Sequence, residues 1–96
     1  MGFIQIIELR TTKFEEIKRL GDEFDSNIGD ESKVRRIVLC RDHDDPDHYY
    51  NVVFFDSHEE AMANSDLPVT QEFAGKLMDL VDGPPTFHNL DIVDER

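Results

Sequence analysis

The sequence has few of the features that mark secreted, membrane or disulfide-stabilised proteins. Cys40 is the sole cysteine among 96 residues, which excludes an internal disulfide and a metal site built on paired cysteines. No apolar run reaches the length needed to cross a bilayer. The opening residues also lack the basic region that precedes the apolar segment of a signal peptide. We therefore expect a cytoplasmic protein without a membrane-spanning segment.

Basic residues are also scarce. Ten lysines and arginines stand against 22 aspartates and glutamates, which gives a formal net charge of −12 at pH 7. The acidic residues are spread from Glu8 to Glu95 rather than gathered in one tail. Because such a field repels phosphate groups, the composition argues against nucleic acids and anionic membranes as partners. The length predicts a single domain, residues 1–96, that gains stability from oligomerisation.

Four segments have the apolar, β-rich composition of strands. They are Phe3 to Leu9, Val34 to Arg41, Tyr49 to Phe55 and Thr86 to Val93. Helical patterns separate the first strand from the second and the third from the fourth. The order βαββαβ predicts an α+β, ferredoxin-like fold with a four-stranded antiparallel sheet. Since the helices cover one face of such a sheet, its other face needs a partner, and we expect a homodimer.

The helices carry their own start and stop signals. Thr12 followed by Glu15 has the spacing of a capping box, which predicts a helix that ends at Gly29. Ser57 followed by Glu60 predicts a second capped helix in the same way. A break ending in proline then separates this short helix from a further helical stretch before the last strand.

Three segments carry a family resemblance. They are FIQIIELR at 3–10, YYNVVFFDSHEEAMANSDLP at 49–68 and PPTFHNLDIV at 84–93. Together with the order of elements, they resemble the dimeric α+β barrel superfamily, and within it the antibiotic biosynthesis monooxygenase (ABM)-like domains of bacteria. The resemblance extends over almost the whole chain, as a single ABM-like domain.

The resemblance implies a two-fold dimer in which two four-stranded antiparallel sheets pack face to face as a dimeric α+β barrel. Small ligands in this superfamily lie between the helices and the sheet or inside the barrel. Some members oxidise phenolic polyketides with dioxygen and without a cofactor, so neither a cofactor nor a metal is expected here. Other members degrade haem with the help of a tryptophan, which this chain lacks.

Polar and aromatic residues within the apolar strands are the candidate substrate-binding residues. They are Gln5, Tyr49, Asn51 and Phe55. A buried amide needs a hydrogen-bond partner, so Gln5 and Asn51 either orient a ligand carbonyl or phenolate, or bond across the sheet or dimer interface. The alternation of a strand puts Tyr49, Asn51 and Phe55 on one face, where they line a cavity, form the dimer core, or do both.

His88 is the candidate catalytic residue. It shares a strand face with Leu90 and Ile92, and a pKa of about 6.5 suits histidine to remove a proton from a phenol or an activated C–H group. The alternative is a histidine packed at an interface or half exposed beside Phe87.

The segment from Asp42 to His48 contains several potential metal ligands. It also contains Pro46 and four acidic residues, which favour a hairpin loop. Because a flexible loop lacks the regular spacing that directs ligands to one ion, an acidic solvated turn is the better interpretation.

Three functions are compatible with the sequence. The first is a cofactor-independent monooxygenase that acts on a small aromatic or enolisable substrate, with His88 as the base. The second is a non-catalytic dimeric protein that binds or carries a small molecule or takes part in a stress response. The third is a structural or regulatory protein–protein module, which the acidic surface would serve.

Overall fold

A computed structural model describes residues 2–96 as a four-stranded antiparallel sheet with helices against one face. The elements in chain order are β1 (Phe3–Arg10), α1 (Phe14–Ile28), a 3₁₀ turn (Gly29–Glu31), β2 (Arg36–Arg41), β3 (His48–Phe55), α2 (His58–Ser65), α3 (Pro68–Met78) and β4 (Thr86–Asp91). The strands are arranged β2-β3-β1-β4. This is the ferredoxin-like α+β fold that the order of elements predicted.

The register of the sheet determines which residues share a face. Gln5 on β1 lies opposite Val53 on β3 and Asn89 on β4, whereas the next residue, Ile6, lies opposite His88 on β4. Because side chains alternate along a strand, Gln5 and His88 point to opposite faces of the sheet. We call the two sides the helix-facing side, which contains Gln5, and the open face, which contains His88.

The start of α1 differs from the prediction. The helix begins at Phe14 after Lys13, and no side chain caps it, so the predicted Thr12–Glu15 capping box is wrong. Thr11, the residue before Thr12, forms the side-chain hydrogen bonds at the start of α1 instead. Its buried Oγ1 accepts a hydrogen bond from the Lys13 backbone N–H (2.9 Å) and donates one to the Leu80 carbonyl (2.7 Å). Thr11 thus fastens the start of α1 to the turn that follows α3.

The second capping signal is confirmed. Ser57 Oγ accepts a hydrogen bond from the Glu60 backbone N–H at 3.1 Å, and α2 follows directly. Pro68 occupies the first turn of α3, where a missing N–H does no harm. In the last turn of α2, Asn64 is buried, and its Oδ1 accepts a hydrogen bond from the Lys33 backbone N–H at 3.0 Å. The predicted break is therefore also a contact point for the segment that leads into β2.

Eight of the nine buried apolar side chains among the described residues form two separate clusters on the helix-facing side of the sheet. One contains Phe3, Val53, Phe55 and Ala61, and the other contains Leu9, Ile17, Tyr49 and Leu77. Gln5 and Asn51 lie between these clusters along β1 and β3. The polar interruptions of the strands therefore coincide with a gap in the core. Within residues 2–96, no helix combines the length and apolar character needed to cross a membrane.

Candidate functional site

A cavity of about 440 Å³ lies between the helix-facing side of the sheet and helices α1 and α3. Most of its wall is apolar. The sheet contributes Ile7, Leu9 and Val53, and the helices contribute Ile17, Phe24 and Phe73. A cavity of this size, with an apolar wall and a few polar groups, is typical of small-molecule sites.

Three of the predicted substrate-binding residues, Gln5, Asn51 and Phe55, line this cavity. Gln5 already has a partner, because its Nε2 donates a hydrogen bond to Asn89 Oδ1 on the neighbouring strand at 3.2 Å. Of the two roles that the sequence left open for Gln5, ligand orientation and a bond across the sheet, this hydrogen bond is the second. Asn51 has apolar neighbours on both adjacent strands, Ile7 on β1 and Leu39 on β2, and so places an amide within an apolar part of the wall.

Tyr49, the fourth predicted binding residue, shares the helix-facing side but lies in the core. Its side chain is buried, and its ring stacks on Phe14 with 4.9 Å between the ring centroids and an interplanar angle of 11°. The cavity wall does not include it. Tyr49 therefore supports one end of the cavity by holding α1 against β3.

Helix α1 contributes polar groups to the wall that the sequence analysis did not single out. Gly21, Asp22 and Asp25 line the cavity together with Lys18. Asp25 is exposed overall, but partial desolvation raises the pKa of its carboxyl above the usual value of 3.8, and the nearby Asp22 raises it further. Helical spacing was the sequence signal that could have identified this part of the wall. Phe24 and Asp25 come three and four residues after Gly21, so the three residues lie on one side of the helix.

Helix α3 contributes Thr70 to the wall. Within residues 2–96, its Oγ1 is a buried side-chain oxygen without a hydrogen-bond partner. Threonine Oγ1 in a helix often bonds to the carbonyl three or four residues earlier. Here the Leu67 carbonyl already accepts hydrogen bonds from the Thr70 and Gln71 backbone N–H groups. The Thr70 hydroxyl is thus a polar group whose burial is not compensated.

His88 belongs to a different cluster, on the open face of the sheet. Glu8 lies between two histidines: His48 Nε2 is 2.8 Å from Glu8 Oε1, and His88 Nε2 is 3.2 Å from Glu8 Oε2. The hydrogen bond with His88 is the main reason that the pKa of the Glu8 carboxyl is lowered, with a further contribution from His48. The sheet separates this cluster from the cavity, so His88 and Asn51 do not face the same bound molecule within one chain.

The hairpin loop that joins β2 to β3 is acidic and largely exposed. His43 projects into solvent, and Asp45 forms an ion pair with Arg10 that lowers the pKa of the Asp45 carboxyl. Residues 2–96 contain no group of three or more histidine, cysteine, aspartate or glutamate side chains arranged to hold a metal ion. His48, predicted in this loop, instead begins β3.

Neither a protein-family model nor a curated protein matches the sequence, whereas solved structures match nearly all of it. A variant of SnoaB, a cofactor-independent oxygenase from Streptomyces nogalater, superimposes with a TM-score of 0.83 at 12% identity, over 98% of this chain and 95% of that chain. A Caulobacter crescentus protein assigned to the antibiotic biosynthesis monooxygenases gives 0.82 at 14% identity, over 97% and 91%. This chain has the ABM fold. Rv0793 from Mycobacterium tuberculosis gives 0.79 at 14% identity, over 99% and 98%.

The two groups of polar residues lie on opposite sides of this sheet. The resemblance inferred from three sequence segments is confirmed at the level of the fold. In this chain, the cavity lies on the helix-facing side, and the cluster around Glu8 lies on the open face. At 12–14% identity, the ABM likeness establishes the fold, and the chemistry must be argued from the residues of this chain.

Proposed function

We propose that the protein is a cofactor-independent monooxygenase of the ABM type that acts on a small aromatic or enolisable substrate. The observation that carries this proposal is the apolar cavity of about 440 Å³ between sheet and helices, with a few polar groups in its wall. An apolar wall accommodates ring systems, while the Asn51 amide and the second N–H of the Gln5 amide orient an oxygen atom of the substrate. The likeness to SnoaB supports the reaction class.

The reaction needs a base, and the cavity offers Asp25. A raised pKa brings a carboxylate closer to the basicity that proton removal requires. Asp25 removes a proton from an activated carbon, and the carbanion transfers an electron to dioxygen. Recombination forms a C–O bond and, after protonation, a hydroperoxide. Loss of water then leaves a carbonyl, so that R₂CH₂ and O₂ give R₂C=O and H₂O, and the substrate carbon supplies all four electrons.

His88, the base predicted from the sequence, can serve this reaction only for a molecule that binds on the open face. There its Nε2 is held by Glu8, in the manner of a carboxylate that orients a catalytic imidazole. Asp25 and His88 therefore represent two locations for the same chemistry, one on each side of the sheet.

Aerobic turnover of anthrone, an enolisable tricyclic ketone, tests the proposal. We expect enzyme-dependent dioxygen uptake with one atom of ¹⁸O from ¹⁸O₂ in the anthraquinone product. Asp25→Asn should slow turnover about 100-fold, the typical contribution of a general base, whereas Asp30→Asn in the exposed turn after α1 should have no effect. Loss of activity in His88→Ala but not in Asp25→Asn would move the reaction to the open face.

A non-catalytic small-molecule-binding protein is the second candidate. The separation of His88 from the cavity favours it, because the cavity then holds a ligand without an imidazole base beside it. Under this alternative, anthrone binds and protects the protein against thermal unfolding, but dioxygen uptake does not exceed the uncatalysed rate.

We also propose that the protein is a homodimer formed through the open face. The helices cover one side of the sheet, while the other presents an apolar surface made of Ile4, Ile6, Val38, Val52, Phe54 and Leu90. Leu90 is 45% exposed in the single chain. Burial of this surface against a second copy would remove it from water.

Native mass spectrometry and light scattering test the dimer. We expect twice the chain mass for the wild type and a shift towards the monomer in Leu90→Asp, because a charge would enter the interface. Val93→Asp is the matched control, since Val93 is 84% exposed and follows the end of β4. A monomeric wild type at micromolar concentration would contradict the proposal.

A further inference from the structure

Gly21 occupies an unusual position in the middle of α1. The helix runs from Phe14 to Ile28, and an interior glycine destabilises a helix relative to alanine. Close packing usually explains such a glycine, but a Cβ at Gly21 would meet no other atom within 4 Å. Its φ angle is not positive either, in contrast to Gly29, so backbone conformation does not require it.

The space beside Gly21 belongs to the cavity. Gly21 lines the cavity wall together with Phe24, one turn further along α1. A side chain at position 21 would therefore extend into the volume that a ligand would occupy. Gly75 in α3 provides a direct comparison, because it is also an interior helix glycine with no atom within 4 Å of a Cβ, but it is exposed and lies outside the cavity wall.

The same part of α1 gives the wall a negative character. Asp22 and Asp25 line the cavity, and Lys18 is the cation among the lining residues, which leaves one excess negative charge. The formal charge of the whole chain, −12, has the same sign. Both carboxylates are exposed to solvent at the cavity wall, so an anionic ligand would meet their partly screened repulsion, whereas a neutral ligand would not.

We propose that the α1 segment from Gly21 to Asp25 determines the size and charge of the ligand: the absent side chain at Gly21 admits a neutral polycyclic ring against the helix backbone, and Asp22 and Asp25 exclude its anionic counterparts. This inference rests on the proposed function, because it assumes that the cavity is the ligand site. It assigns to α1 a selectivity that is separate from any catalytic role of Asp25.

Two neutral fluorescent probes of different size test the role of Gly21. They are 2-naphthol, with two rings, and 1-hydroxypyrene, with four. We expect Gly21→Leu to weaken the binding of 1-hydroxypyrene about tenfold or more, the effect of a steric conflict in an apolar pocket, and to leave 2-naphthol nearly unchanged. Gly75→Leu is the matched control, and its affinity for both probes should equal that of the wild type.

A stability measurement shows that both variants are folded. Replacement of an interior helix glycine by leucine should raise the melting temperature of each by about 4–8 °C, since each gains helix propensity. For the charge, 2-naphthoate should bind the wild type about tenfold more weakly than 2-naphthol, and the double variant Asp22→Asn/Asp25→Asn should remove most of this difference.

The outcomes separate this inference from the proposed function. If both neutral probes bind and Gly21→Leu behaves like Gly75→Leu, the role of Gly21 is wrong while the cavity remains the ligand site. An equal loss of both probes in Gly21→Leu would also contradict discrimination by size. If neither neutral probe binds the wild type, the cavity is not a ligand site, and the proposed function is wrong together with the inference.

Discussion

Gln5 and Asn89 face each other across β1 and β4, and Gln5 Nε2 donates a hydrogen bond to Asn89 Oδ1 at 3.2 Å. Both residues point to the helix-facing side, where Gln5 lines the cavity and Asn89 is exposed beside it. Because β4 is an edge strand that pairs only with β1 among the described strands, this side-chain bond adds to a limited set of contacts. The pair therefore adds a side-chain contact to the backbone pairing of β4 with β1.

We predict that Gln5 and Asn89 are energetically coupled. In a double-mutant cycle of Gln5→Leu and Asn89→Leu, the free energy of unfolding should show a coupling of about 0.2–1 kcal/mol, the contribution of an exposed cross-strand pair. Urea unfolding of the four proteins measures it. A parallel cycle of Asn51→Leu with Asn89→Leu should show no coupling, because β1 lies between their strands. Equal coupling in both cycles would refute the specific pairing.

We predict that the two capping signals of the sequence contribute differently to the free energy of unfolding. Ser57→Ala should lower the free energy of unfolding by about 1 kcal/mol, because the Glu60 backbone N–H loses its acceptor. Thr12→Ala should change it by less than about 0.5 kcal/mol, since Thr12 is exposed and caps no helix in the structure. A loss of similar size in Thr12→Ala would show that the capping box forms after all.

The contrast between Thr12 and Thr11 illustrates what could be predicted from the sequence. Apolar periodicity and the capping signal at Ser57 identified the order of elements and therefore the fold, because these signals are local. The role of Thr11 depends on Leu80, which is distant along the chain, and no local pattern indicates that contact. Tertiary contacts also decide where a strand begins. The structure has β2 begin at Arg36 rather than at the predicted Val34.

For the candidate site, too, local patterns were predictable from the sequence and contacts between distant segments were not. Strand alternation correctly grouped Tyr49, Asn51 and Phe55 on one face of β3, but it could not relate that face to the face of His88 on β4. That relation depends on the register between strands, which a single sequence does not reveal. Asp25 was missed because an acidic residue on an amphipathic helix normally faces solvent.

We predict that Glu8 stabilises the fold above its unfolded pKa. Hydrogen bonds with His88 and His48 lower the pKa of the folded Glu8 carboxyl below its usual value of 4.5. Its contribution is therefore present above pH 4.5 and is lost as the pH falls through the lowered value. Glu8→Gln should melt at a lower temperature than the wild type at pH 7, and the difference should shrink below pH 4.5.

Differential scanning fluorimetry from pH 7 to pH 3 measures this difference for Glu8. Glu59→Gln is the control, because Glu59 is exposed at the start of α2 and no histidine bonds to it among the described residues. If the difference between wild type and Glu8→Gln stays constant across this range, Glu8 contributes through packing rather than through its charge.

We predict the opposite sign for Asp25. Partial burial, together with the charge of Asp22, raises the pKa of the Asp25 carboxyl above 3.8, so the ionised form is less favourable in the folded than in the unfolded protein. Asp25 therefore destabilises the fold at neutral pH, and this effect disappears as the pH falls through the raised pKa and the carboxyl binds a proton. Asp25→Asn should accordingly melt at a higher temperature than the wild type at pH 7, and the gain should vanish towards pH 3.8.

Asp22→Asn should reduce the gain that Asp25→Asn then produces, because one of the two causes is removed, whereas Asp30→Asn should leave it unchanged. Because Asp25 is exposed, solvent screening keeps the expected gain small, and an Asp25→Asn variant that is less stable than the wild type at pH 7 would contradict this prediction.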